Sequence, residues 1–244
     1  MDTDDFITTL RREGRLLADA AQRSGLDAPV PSCPQWQVRD LLRHVGAVHR
    51  WAAAFVAERR TAPVEWDESA PGDAALLDWY RALHSGLADT LAGAPADTDC
   101  WTFLPAPSPL AFWARRQAHE TTIHRIDAQS ALGAERDPVD TAFASDGLDE
   151  LLTGFHVRKR SRVRTNRPRS LRVLAADHPG GDWLVHLSAE PPVVERAVPG
   201  AADCTLSGPA TALYLALWNR GPYDGLSVEG DGALVELWQR TSAV

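Results

Sequence analysis

The sequence predicts an up-and-down helical bundle followed by a small α+β domain built on an antiparallel sheet. Up to about residue 160, apolar residues recur at helical spacing in long segments, and Pro- and Gly-rich stretches separate those segments. Beyond that point the texture changes to short runs of β-branched and aromatic residues set between turn residues. The expected division is therefore 1–160 for the bundle and 161–244 for the second domain.

The first helix is read from Asp4 to about Arg23, where Phe6, Ile7, Leu10, Leu16, Leu17 and Ala20 mark an apolar face. After the loop PVPSCPQW, a second helix runs from about Gln37 to Glu58, carrying Leu41, Val45, Val48, Ala52 and Phe55. Pro63, Pro71 and Gly72 interrupt the pattern. A third helix fits Asp73 to about Leu91, and a fourth fits about Ala111 to Leu132, between PAPSP and Gly133. A fifth, from Asp140 to about Val157, ends in RKRSRVR. SLRVLAA, WLVHLSA, PVVERAV and DCTLSG read as strands, PATALYLALWN as a helix, LSVEGD as a last strand and GALVELWQR as a closing helix.

Composition narrows the function. With 44% hydrophobic residues the chain can bury a substantial core, and a net charge of −8 argues against a duplex held by phosphate contacts. A small-molecule partner is expected, with no nucleic acid and no membrane, in a monomer or homodimer. The N-terminal MDTDDFITTL lacks the basic start and apolar core of a signal peptide, and no apolar run is long enough to span a bilayer, so the cytoplasm is the expected address. Cys33, Cys100 and Cys204 are widely spaced and form no C-x-x-C pair, which implies neither a disulfide framework nor a thiolate zinc site.

The chemistry is expected on the fourth helix. Side chains three, four and seven apart share a face, which aligns Trp113, Arg116, Glu120, His124 and Asp127 in one stripe. A polar stripe ordinarily faces water, but Phe112, Trp113, Ile123 and Ile126 flank this one and must be buried somewhere. Turned inward, the stripe needs its charges satisfied, and a divalent cation does that well. HETTIH is not a metalloprotease motif: His119 and His124 are five apart, about 140° round the helix, and cannot chelate one ion together. Glu120 and His124, four apart, can. A third ligand must come from another helix, with His44 and His49 on the second and His84 on the third as candidates. Spacing does not choose among them. Two imidazoles and a carboxylate form a set common to catalytic zinc and to non-haem iron.

Two segments carry a family resemblance. CPQWQVRDLLRHVGAVHRW resembles the first signature, and RRQAHETTIHRIDA the second, of the mycothiol-dependent maleylpyruvate isomerase family, within the DinB-like group of metal-binding helical bundles. That resemblance implies metal ligands at His44, Glu120 and His124, zinc as the ion and mycothiol as thiol cosubstrate. GPATALYLALWNRGPYDGLSVEGD is similar to the family's C-terminal domain, which implies an active-site role for Arg220. The implied activity is addition of the mycothiol thiolate to a small electrophile, as an isomerase or an S-transferase. The contrasting expectation is a non-catalytic metal- or ligand-binding protein of the same fold. Asp127 is placed to orient His124 or to pair with an arginine, and the connector RKRSRVRTNRPR reads as an interdomain linker or as a basic rim that attracts anions.

Overall fold

A computed structural model describes residues 1–133 and 135–242. The chain forms two compact units, Met1–Asp137 and Pro138–Val244.

The first unit holds α1 (Thr3–Ser24), α2 (Val38–Ala57), α3 (Asp73–Gly93) and α4 (Pro109–Leu132). Their ends follow from local chemistry. Asp2 accepts a hydrogen bond from the Asp5 amide and Asp5 from the Asp2 amide, a reciprocal cap that starts α1. Ser108 caps the Ala111 amide at 3.1 Å with Pro109 in the first turn of α4, and Gly133, in the left-handed region at φ 67°, closes that helix.

Round the bundle the packed neighbours are α1 with α4, α4 with α2, α2 with α3, and α3 with α1. The connections 25–37 and 94–108 therefore join helices on the diagonals, and α2 comes to lie beside α4. Leu10, Leu17, Leu41, Leu42, Val45, Phe55, Tyr80 and Trp113 are wholly buried between these faces. An ion pair is buried with them: Arg125 Nε meets Glu13 Oε2 at 2.6 Å with both side chains fully enclosed. Arg125 also donates to Gln129 Oε1 and to the Asp137 carbonyl, so its charge is met by several acceptors.

The second unit starts earlier than the boundary near residue 160 expected from the sequence. The segment read as a fifth bundle helix is α5 (Thr141–Asp149) running into a π turn, Glu150–Phe155, in which the His156 amide reaches the Leu151 carbonyl. It packs against α6 (Ala210–Leu217) and belongs to this unit's core. The basic connector likewise lies inside the second unit, with Val163 fully buried and the Thr165 amide donating to the Ser188 carbonyl.

Five strands, β1 (Arg169–Ala175), β2 (Asp182–Leu187), β3 (Val193–Arg196), β4 (Cys204–Gly208) and β5 (Ser227–Gly230), form a sheet in the order β3-β2-β1-β4-β5. The sheet expected to be antiparallel is mostly so, but β1 and β4 run parallel. The reason is the connection after β3, which carries the chain across to the far side of β1. Arg172 holds that crossing: it pairs with Asp182 and donates to the Val198 and Gly200 carbonyls. On the central strand Val173 stands opposite both Trp183 and Leu206, all three buried. The closing helix α7 (Ala233–Thr241) contributes Trp238, whose indole N–H donates to the Leu217 carbonyl at 3.0 Å.

Candidate metal centre

The site assembles where α2 passes α4. Glu120 and His124 stand one turn apart on α4, and His44 approaches from α2. One ligand atom from each lies within 4.8 Å of the others. His124 Nε2 is 3.2 Å and His44 Nε2 is 3.5 Å from Glu120 Oε1, and the two imidazole centroids are 5.1 Å apart. His124 is buried, while His44 and Glu120 are partly exposed, so the donors face an opening rather than a sealed interior.

Outer partners set the orientation of each donor. Asp127 Oδ2 lies 2.9 Å from His124 Nδ1, and Ser32 donates to the other Asp127 oxygen. With Nδ1 engaged by a carboxylate, Nε2 is the ring nitrogen that faces the other donors. Arg116 Nη2 holds Glu120 Oε2 at 3.1 Å, leaving Oε1 toward the histidines. Burial disfavours charge on His124, yet the hydrogen bonds and charges of Asp127 and Glu120 outweigh it and push the imidazole up to about 9. Burial alone would raise the Glu120 carboxyl, but His124, His44 and Arg116 hold it well below the usual carboxylate range. A proton on His124 thus offsets part of the negative charge of Glu120 and Asp127. A divalent cation between the three donors would meet that charge and use their lone pairs, and two imidazoles with one carboxylate form a set that zinc accepts.

Trp36 forms one wall, its ring centroid 5.0 Å from His44 and stacked 6.2 Å from His124, and Trp66 lies 6.1 Å from His44. The C-P-x-W loop presents Trp36 by folding back on itself: the Trp36 amide donates to the Cys33 carbonyl, and the Val30 amide to that of Trp36. Outside lies a pocket of about 480 Å³ lined by Trp36, Asp40, Arg43, His44, Ala47 and Trp66. It joins apolar rings to a few polar groups beside the donor set, as small-molecule sites do.

His49, the competing candidate on α2, is wholly buried elsewhere. Its Nε2 shares a hydrogen bond with Thr121 Oγ1 at 2.9 Å, and burial followed by the neighbouring His84 holds it well below the usual imidazole range. His84 packs against it, 5.5 Å between centroids, away from the donors. Arg220 follows α6 in the second unit, where Nη1 donates to the Trp218 carbonyl. Reading the stripe along α4 missed Trp36, Trp66 and Ser32, because they arrive from loops. Trp36 was present in the first signature and Ser32 in the loop before it, but neither spacing points to α4.

Comparison with known proteins places the fold. The model of the mycothiol maleylpyruvate isomerase N-terminal domain matches residues 7–129, and that of the MDMPI C-terminal domain matches residues 142–237. The crystal structure of a mycothiol-dependent maleylpyruvate isomerase superposes with a TM-score of 0.65 at 14% identity, covering 94% of this chain and 93% of that chain. A crystal structure of a mutant of such an isomerase superposes with a TM-score of 0.63 at 13% identity over the same shares. At this identity the structural likeness speaks for the fold alone. A search of curated protein sequences returns no match. With paired domain models spanning most of its length, the chain belongs to the mycothiol-dependent maleylpyruvate isomerase family.

Proposed function

We propose that this protein is a divalent-metal enzyme, with zinc as the ion, that activates the thiol of mycothiol for isomerisation of, or transfer to, a small electrophilic substrate. The observation that carries this reading is the convergence of His44, Glu120 and His124, with one ligand atom from each inside a 4.8 Å span. Three protein donors leave coordination positions for an incoming ligand.

When bound, zinc supplies the Lewis acidity that ionises a thiol at neutral pH. The chain's own groups do the rest. Asp127 fixes the His124 ring, and Arg116 aims the Glu120 carboxylate. Trp36 and Trp66 keep the donors beside apolar surface, which strengthens electrostatic interactions there. Arg220 is assigned, on the family likeness, to hold a carboxylate or a developing enolate of the electrophile.

The test is metal content measured beside thiol consumption, for the parent and for His44→Ala, Glu120→Ala and His124→Ala. About one ion per chain in the parent, lost together with mycothiol consumption in all three variants, is the expected result. Metal retained without thiol chemistry on any electrophile would instead identify a non-catalytic binding protein. Thiol consumption that survives removal of the metal would overturn the proposal. Arg220→Ala should raise KM for a carboxylate-bearing electrophile while leaving metal content unchanged.

A further inference from the structure

Between Glu150 and Asp177 the chain carries no acidic residue, yet it places Arg158, Lys159, Arg160, Arg162 and Arg164 within seven positions. This run is folded. The Ser161 amide donates to the Arg158 carbonyl at 3.0 Å and closes a turn. His156 Nδ1 lies 3.2 Å from Ser161 Oγ, and the fully buried Val163 anchors the segment to the core. Arg164 then reaches back over the turn, its Nη2 donating to the Lys159 carbonyl at 3.0 Å.

Four of these five cations carry charge that no carboxylate meets: among the described residues, Lys159, Arg160, Arg162 and Arg164 form no ion pair. Several carboxylates of this unit meet other groups: Asp149 meets Trp183 and Arg196, Asp182 meets Arg172, Asp203 and Asp231 meet Arg169, and Asp177 accepts from the Ala210 amide. Arg164 adds a second sign of a missing acceptor, since its Nη1 is buried and has no hydrogen-bond partner. Burial, and then the charge of Arg160, depress the Arg158 guanidinium, which puts like charges within electrostatic reach of each other. Holding cations together over an unpartnered donor is costly without an anion to meet them.

We infer that the turn 158–164 is an anion-binding site for the phosphate group of a small molecule, contacted by Arg160 and Arg164. Guanidinium forks match the oxygens of phosphate in two-point contacts, and several cations favour a di- or trianion over a single carboxylate. The site lies wholly within the second unit and does not depend on the metal-centre reading.

Calorimetric titration of the full chain with pyrophosphate tests it, with sodium chloride at matched ionic strength as control. Saturable binding is expected, weakened about tenfold or more for each guanidinium removed. The variants are Arg160→Gln with Arg164→Gln and, since Arg164 is partly buried, Arg160→Gln with Arg162→Gln on exposed positions alone. Both should lose affinity, whereas His44→Ala should bind pyrophosphate like the parent. Removing Arg160 should also leave the anion-free protein no less heat-stable, because a repulsion is relieved. Inorganic phosphate and a nucleoside diphosphate, run in parallel, distinguish a free ion from a phosphorylated ligand. The inference is overturned if chloride competes equally at matched ionic strength, if the variants bind like the parent, or if duplex DNA or anionic vesicles are retained far more tightly than pyrophosphate.

Discussion

Asp127 is the residue whose role the structure sharpens most. Read along α4, it stood one turn from His124 with an arginine as an equal choice of partner. In the fold it is buried, accepts from Ser32 and lies 2.9 Å from His124 Nδ1. In the proposed metal site such a carboxylate would orient the His124 imidazole, and losing a partner of this kind costs roughly 10- to 100-fold in metal affinity. Asp127→Asn keeps the shape and the hydrogen bond but removes the charge. Competition with a chromophoric chelator should show zinc bound more weakly by about that factor, with the circular dichroism spectrum unchanged. Unaltered affinity would reduce Asp127 to a packing role. The choice of His44 over His49 belongs at this scale too. Both sit on margins of one helix, and only the partner each meets, Glu120 in one case and Thr121 in the other, separates them.

At the scale of elements, α4 shows what periodicity leaves open. Its stripe of Arg116, Glu120, His124 and Asp127 has the composition of a solvated face, yet every one of these residues is buried or half-buried. What permits this is partnership with other segments, with His44 from α2 meeting Glu120 and Ser32 from the loop before α2 donating to Asp127. No property of α4 taken alone announces His44 or Ser32 as partners. The contact of α1 with α3 offers a test of packing. A methyl group on Gly14 would lie 2.2 Å from Cε1 of His84, well inside van der Waals contact. Gly14→Ala is expected to destabilise the bundle by about 1–3 kcal/mol in urea denaturation, and His84→Ala in the same chain to recover part of the loss. Additive losses in the double variant would show that the two side chains do not meet.

Across the whole molecule, acid stability should depend on buried histidines in both units, His84 in the first and His156 in the second among them. Burial pushes His84 and His156 down to about 4 from the usual 6.5, so each is neutral in the folded chain. The unfolded chain takes up these protons first as pH falls. Their contribution is therefore intact above pH 6.5 and drains away as pH falls toward about 4, by at most ~3 kcal/mol for each. The urea midpoint should fall through that window, and His84→Asn should remove the share of the fall that His84 contributes. A variant profile parallel to the parent's would place the acid sensitivity in other groups.

The helices of the bundle, the change of texture to a sheet, and the placing of Glu120 and His124 on one face of α4 are legible in the amino-acid order alone. Each of these is written in a local period of side chains along one backbone. Through likeness of motif the sequence also pointed to His44. That α2 lies beside α4, that Trp36 and Trp66 flank His44, that the helix after Asp140 serves the second unit, and that β4 runs parallel to β1 became visible only in the folded chain. These are relations between segments distant in the chain. They arise from how whole faces exclude water together, a property that no window of neighbouring residues contains.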